Sequence, residues 1–222
     1  MRRDTRTREV KARRQADDRA SVAREIVALG ARFYGRDWVL GTSGNFSAVL
    51  SRKPLRLLLT ASAVHKGRLT PRDLLVVDAA GRSEGGPPAR PSAETALHLA
   101  IVRARGAGAV LHTHSVWGTI LSDHHASARG LTIHGYEMLK GLAGVTTHEH
   151  REWIPIVEND QDMTSLARVV ETLLREEPRA HAFLLRGHGL YTWGTNLADA
   201  ERHVEILEFL FEAVGRRSQP WR

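Results

Sequence analysis

No cysteine occurs in the 222 residues. This excludes disulfides and thiolate metal sites, so any bound metal must be held by histidine, carboxylate or water. It also fits a reducing compartment, and a cytoplasmic location is expected. No apolar run approaches the length needed to span a bilayer, so no membrane partner is expected. The N-terminal segment lacks the apolar core of a secretory signal. There is no internal repeat and no linker long enough to divide the chain, which makes one domain the simplest organisation.

What is present is ordinary for a globular protein: 42% hydrophobic and 26% charged residues. The net charge is +7. Much of the excess sits near the start, where Arg2, Arg3, Arg6, Arg8, Lys11, Arg13 and Arg14 face only Asp4 and Glu9. Residues 1–15 read as a solvated, frayed basic tail, with 16–222 as the folded domain. A nucleic-acid role for the tail would predict steep salt dependence, but no nucleic-acid partner is expected. Elsewhere the charges are mixed, and a basic balance suits an anionic small molecule.

Periodicity predicts a helix over Asp17–Phe33, with Val22, Ile26, Leu29 and Phe33 on one stripe. Strands are predicted at Val39–Leu50 (interrupted by a glycine turn), Leu55–Thr60, Leu74–Asp78, Ala109–His114, Trp153–Val157, Ala182–Arg186 and Leu190–Trp193. Residues 79–91 read as a loop. Helices follow at Ser92–Arg105, with Ser92 as N-cap, then Ser115–Leu121, Gly135–Leu142, Asp162–Arg175 and Leu197–Arg216. Several strands are joined too briefly for parallel crossovers. The expected fold is therefore α/β, with a mixed, mainly antiparallel sheet flanked by helices on both faces.

The chemistry concentrates in a few residues. His112 and His114 end an apolar run and, in a strand, point to one face about 6.5 Å apart. His188 follows another strand-like run within Arg186-Gly187-His188-Gly189. Three neutral imidazoles with an open position suit a catalytic metal such as zinc. A lone His-x-His pair is often incidental; His148-Glu149-His150 is a second such pair, in a polar stretch that reads as loop. Gly41-Thr42-Ser43-Gly44-Asn45 can present backbone N–H groups to an anion, and Ser92 at a helix start can do the same. Lys66 and Arg68 can add charge. Tyr136 and Trp117 suit an apolar wall or plain core packing.

Six blocks in order resemble the class II aldolase/adducin (AraD-like) family. They are Gly41-Thr42-Ser43-Gly44-Asn45-Phe46-Ser47, Leu59-Thr60-Ala61-Ser62, Leu69-Thr70-Pro71-Arg72-Asp73-Leu74, Pro91-Ser92-Ala93-Glu94, His112-Thr113-His114 and Gly187-His188-Gly189. His134-Gly135-Tyr136-Glu137-Met138-Leu139-Lys140-Gly141 and Val64-His65-Lys66-Gly67-Arg68-Leu69 resemble the branch that dehydrates methylthioribulose 1-phosphate. The resemblance implies a three-layer α/β/α fold and one Zn2+ per subunit on His112, His114 and His188. It implies Glu137 as catalytic acid/base and Glu94 as a second carboxylate. Phosphate contacts would come from Thr42, Ser43, Gly44, Asn45, Thr60, Ser62 and Ser92, with Lys66 supplying charge. Two departures stand out: Thr60-Ala61-Ser62-Ala63 where the family often has Thr-Pro-Ser-Gly, and Ser92-Ala93-Glu94 where it often has Ser-Ser-Glu.

The implied activity is zinc-dependent loss of water from 5-methylthioribulose 1-phosphate, giving 2,3-diketo-5-methylthiopentyl 1-phosphate in methionine salvage. The implied assembly is a homotetramer with active sites at subunit borders. Two readings compete. A class II aldolase would cleave a ketose 1-phosphate to dihydroxyacetone phosphate and an aldehyde. A non-catalytic interaction module would lack the metal ligands.

Overall fold

The computed structural model describes residues 2–84 and 90–217, the side chains of residues 2–15 excepted. Among the described residues five α-helices and eight strands follow in chain order: α1 (Arg2–Tyr34), β1 (Asn45–Arg52), β2 (Leu55–Thr60), β3 (Leu74–Asp78), α2 (Thr95–Arg105), β4 (Ala109–Thr113), α3 (Val116–His124), β5 (Gly130–His134), β6 (Arg151–Val157), α4 (Met163–Glu176), β7 (Ala182–Leu185), β8 (Gly189–Gly194) and α5 (Leu197–Arg217). The strands form one sheet in the order β3-β2-β1-β4-β8-β7-β6-β5. Every neighbouring pair is antiparallel except β6–β7. That exception has a simple cause. α4 lies between β6 and β7 in the chain, and only a long crossover lets two strands run in the same direction.

Alternation along the strands sorts the core into two faces. Leu57 and Leu59 of β2, Val110 of β4 and Tyr191 of β8 pack with Leu97 and Ile101 of α2 and Val170 and Leu174 of α4. Leu58 and Leu111 face the other way, against Ile26, Leu29 and Phe33 of α1 and Val204 of α5. The far end of that face is closed by Leu121 of α3 with Leu207, Leu210 and Phe211 of α5, over Leu131, Ile154 and Leu184. The three-layer arrangement is thus the expected one.

Local rules set most ends. Asp162 caps α4, accepting from the N–H groups of Thr164 and Ser165 at 3.0 and 3.1 Å. Ser115 caps α3 through Gly118 N–H. Gly106, at φ 61°, ends α2 in the left-handed conformation.

Four expectations are corrected. The first helix begins at Arg2 rather than Asp17, so the backbone of the expected tail continues α1, in a stretch dominated by good helix formers; its side chains lie outside the described residues. Ser92 is not the cap of α2. The helix starts at Thr95, and Ser92 instead turns the chain, its Oγ accepting from Glu94 N–H at 3.2 Å. Residues 135–142 form a 3-10 turn (Glu137–Gly141), not an α-helix. β5 was not foreseen at all. The expected loop at 79–91 and the end of the 16–222 domain lie partly outside the described residues.

One ionic network braces the β6–β7 pair. The buried Glu152 accepts from His150 Nε2 at 2.7 Å, from His181 Nδ1 at 3.0 Å and from the His181 backbone N–H at 3.2 Å. His181 Nε2 donates to Ala143 O at 2.8 Å, so the imidazolium satisfies both ring nitrogens. Burial opposes charge on both residues, but the bonds and attraction between them outweigh it. Glu152 lies below the usual 4.5 and His181 above the usual 6.5.

The pair's contribution is therefore full between about pH 4.5 and 6.5. It is lost as pH falls through the depressed Glu152 pKa and as pH rises through the raised His181 pKa. Glu152→Gln is expected to lower stability by about 1–3 kcal/mol at pH 5.5. The deficit against wild type should shrink by pH 9, as read from urea denaturation at both pH values; an equal deficit at pH 9 would contradict the ionic account.

Candidate metal centre and its cavity

The strand register brings the histidines together. His112 pairs with Asn45 on β1 and with Tyr191 on β8. His114 follows the end of β4, its backbone N–H donating to Trp38 O at 2.7 Å. His188 stands in the tight β7–β8 connection. Gly189 is required beside it, because a Cβ there would lie 2.0 Å from Thr113 O. The three Nε2 atoms lie 2.8 Å (His112–His114), 3.1 Å (His114–His188) and 3.3 Å (His112–His188) apart.

These residues fit a metal ion. His112 donates Nδ1–H to Leu190 O at 2.8 Å, which leaves Nε2 as a bare lone pair aimed at its two neighbours. His112 is fully buried, and burial followed by the nearness of the other two rings pushes its pKa well below 6.5. Burial, then His188, pushes His114 down to about 4. Burial also lowers His188, against the pull of Glu94. All three are neutral bases at pH 7. Two nitrogens on a tetrahedral ion with bonds of about 2.0–2.1 Å stand about 3.3 Å apart, close to the spacing seen. Among the described residues these are the one such cluster of potential ligands.

Glu94 completes the group. Its Oε1 lies 3.3 Å from His188 Nε2 and 3.6 Å from His112 Nε2. Its Oε2 accepts from Asn45 Nδ2. Asn45 Oδ1 in turn accepts from His98 Nε2, and His98 Nδ1 accepts from Ser47 Oγ at 2.7 Å. Burial drives His98 down to about 3, so this chain of partners carries no charge. The His112 ring stacks on Tyr191, with centroids 3.9 Å apart and planes at 12°.

Beside the histidines opens a cavity of about 300 Å³. It is lined by Thr42, Ser43, Gly44, Asn45, Ser62, Lys66, Ser92, Glu94 and His114, with Ala61 and Ala63. Gly44 has φ 70°, and a Cβ on it would stand 2.6 Å from His112 O, so only glycine lets the turn lie against β4. Lys66 is 1% exposed. Its amine donates to Thr42 O and Val64 O, both at 2.9 Å, tying the turn to the loop before it. Burial lowers its pKa to about 8 despite Glu94, so it remains mostly charged at pH 7.

Two expected site residues fall elsewhere. Thr60 is wholly buried and absent from the cavity lining; its Oγ1 accepts from Phe46 N–H at 3.1 Å and serves the β1–β2 pairing. Glu137 is 70% exposed, bonded to Lys140 Nζ at 2.7 Å with His148 Nδ1 3.8 Å away, and makes no contact with the three histidines of its own chain. His148 and His150 form no second metal group, since His150 belongs to Glu152. Trp117 and Tyr136 pack on the apolar cluster of α3 and α5. Sequence reasoning missed His98 and Tyr191. The i, i+4 spacing from Glu94 to His98 on a helix was the available signal for the first.

This architecture and site define a class. Residues 24–214 match the Class II Aldolase and Adducin N-terminal domain, and the chain belongs to that family. Among named relatives, a methylthioribulose-1-phosphate dehydratase of Methylococcus capsulatus is 48% identical over 195 residues, covering 87% of this chain and 93% of that protein. The protein of the same name from Pseudomonas aeruginosa is 47% identical over 197 residues, covering 88% and 94%. Among solved structures, YgbL of Klebsiella pneumoniae aligns with TM-score 0.75 and 25% identity over 91% of this chain and 92% of its own. The l-fuculose-1-phosphate aldolase of Thermus thermophilus aligns with TM-score 0.70 and 27% identity over 90% and 96%.

His112→Ala is expected to cut bound metal from about one ion per chain to under a tenth of that, read by elemental analysis after dialysis. Because His112 is buried, stacked on Tyr191 and bonded to Leu190 O, the variant is expected to melt somewhat below equally treated wild type in excess chelator, and its metal content is read on the folded protein. Undiminished metal would refute the centre.

Proposed function

We propose that this chain is a metal-dependent hydro-lyase that dehydrates 5-methylthioribulose 1-phosphate in methionine salvage. The observation that carries the reading is the histidine trio facing a polar cavity, in a chain that matches two dehydratases nearly end to end. Zn2+ is the proposed ion, one per subunit, held by His112, His114 and His188. When bound, it supplies Lewis acidity toward the C2 ketone, making the C3 proton removable.

The remaining work falls to the chain. Ser43 and Gly44 of the glycine turn, with Ser62 and Ser92, receive the phosphate, and Lys66 supplies a positive charge beside it. Glu94, fixed by Asn45, orients what binds next to His188. Glu137 takes the C3 proton and returns it to the departing C4 hydroxyl as the C4–O bond breaks. Water leaves, and the enol tautomerises to the 2,3-diketone. Glu137 regains its starting charge.

Glu137 reaches this site from a second copy of the chain. Leu40 beside the glycine turn, and Val116 and Ile120 on α3, are exposed apolar side chains on segments adjoining the turn and His114 in the chain, which suits a subunit border. The turn bearing Glu137 is anchored by buried Leu139 and Leu142, so the carboxylate is presented rather than loose. A homotetramer working in the cytoplasm is the proposed state, with residues 16–222 as its catalytic domain. No helix among the described residues is long and apolar enough to cross a membrane.

Incubating metal-loaded protein with 5-methylthioribulose 1-phosphate is expected to yield the diketone and no fragments. Dihydroxyacetone phosphate with an aldehyde would instead establish the aldolase. Glu137→Gln should retain metal and lose turnover by about 10²–10⁴-fold. Mixed assemblies of Glu137→Gln and His112→Ala chains are expected to regain part of the activity, because some sites then combine an intact trio with an intact carboxylate; no recovery would refute a carboxylate supplied by the neighbouring chain.

A further inference from the structure

Behind the strand that presents His112 and His114 lies a carboxyl group that the reaction does not use. Glu208, on α5, is 3% exposed. Side chains alternate across β4, so Thr113 points away from the histidine face, toward α5. Its hydroxyl donates to Glu208 Oε1 at 2.7 Å. The Ser115 hydroxyl faces the same carboxyl and, with Thr113, favours its charged form. Ser115 Oγ already accepts from Gly118 N–H at 3.0 Å, capping α3, which leaves its own hydrogen free to donate. Glu208 therefore holds Thr113 by a hydrogen bond and faces Ser115 on the other side of His114.

The arrangement is costly for a merely structural contact. A carboxyl taken out of water with no cation beside it loses several kcal/mol of solvation. Burial raises its pKa to about 7, opposed only by the Ser115 and Thr113 bonds. An apolar side chain would fill the same space without that cost. What the carboxyl alone offers is two acceptor oxygens for two hydroxyl donors. Those hydroxyls bracket His114, which lies just beyond the end of β4.

We propose that Glu208 is a positioning residue of the metal centre: through Thr113 and Ser115 it fixes the backbone on both sides of His114 and so sets the direction of that ligand. The inference rests on the three histidines being a metal centre and not on which reaction they serve. It concerns a side chain that touches neither ion nor substrate.

The test uses the full-length chain stripped of metal and titrated with Co2+ against a chromophoric chelator. The readouts are Co2+ affinity, the visible Co2+ absorption bands, and the melting temperature without metal. Glu208→Met, of similar volume, is expected to melt in the metal-free form at or above the wild-type temperature. It should bind Co2+ about 10–100-fold more weakly, with altered bands. Glu208→Gln keeps one acceptor oxygen and should stay within about 3-fold of wild type.

A folded Glu208→Met chain with wild-type Co2+ affinity and bands would overturn the proposal. Should that variant fail to fold, Thr113→Val removes the hydroxyl from the strand side of the same contact. Its expected loss is about 10-fold in Co2+ affinity, and an unchanged affinity overturns the proposal equally. Wild-type protein that binds no Co2+ would overturn the metal centre and this inference with it. Normal wild-type binding with an indifferent Glu208 removes this inference alone.

Discussion

Three uncharged imidazole nitrogens, 2.8–3.3 Å apart, converge on one point. At least one, His112 Nε2, brings a lone pair with no proton to share, because its other nitrogen donates to Leu190 O. Crowded bases repel unless a cation lies among them, so the scaffold must hold the rings in place from behind. It does so differently for each. His112 is locked in register between Asn45 and Tyr191 and stacked on the tyrosine ring. His114 hangs between a backbone bond to Trp38 and the capped start of α3. His188 is held by a hairpin so short that its strands leave it no slack. The antiparallel centre of the sheet exists in the form that makes these three restraints meet.

The charge balance around that point follows from burial. A carboxylate beside the trio could be fixed by a cation, but that would compete with the metal. Glu94 is instead fixed by Asn45, which is oriented by a neutral histidine and a serine. The relay sets a position and adds no charge. Among the described side chains Lys66 is the one buried lysine or arginine, and its amine lies on the carbonyls of Thr42 in the glycine turn and of Val64. Its charge is thus spent partly on shaping the cavity wall. The result is a small polar cavity walled by Thr42, Ser43, Ser62, Ser92 and the buried Lys66, which suits the phosphate of the proposed substrate.

Much of this was legible in the sequence. β2 and β3 were read to the residue, because Leu55–Thr60 and Leu74–Asp78 are short apolar runs bounded by turn formers. The His-x-His spacing and the hairpin histidine were legible for the same reason: period two is a local property. β5 was not, since Leu131 and Ile133 give only two turns of alternation beside a glycine, and pairing with β6 supplies the rest. Residues 135–142 carry a helical pattern, yet Leu139 and Leu142 meet α5 in a tighter 3-10 turn closed by Gly141 on Ile206. Thr60 shows the limit of the sequence: a buried strand threonine and a cavity threonine look alike there, and only the register reveals that its hydroxyl accepts from Phe46 N–H. Glu208 was invisible, because nothing in a long amphipathic helix says what lies opposite one of its acids.

The two carboxylates of the proposed mechanism differ in kind, and the difference explains their division of labour. Both oxygens of Glu94 are committed: Oε2 to Asn45, and Oε1 toward His112 and His188, where an ion would sit. A group held from both ends is a good orienting element and a poor proton carrier, since shuttling a proton needs an oxygen free to approach two substrate atoms in turn. Glu137 has the opposite character. It is solvent-exposed and paired with Lys140 at 2.7 Å, on a turn whose Leu139 and Leu142 are buried in the core of its own subunit. A solvent-facing acid on a rigid mount suits proton transfer in the proposed mechanism, provided the substrate is delivered to it by another chain. Assembly would then be a condition of turnover, with one subunit supplying the electrophilic centre and its neighbour the base.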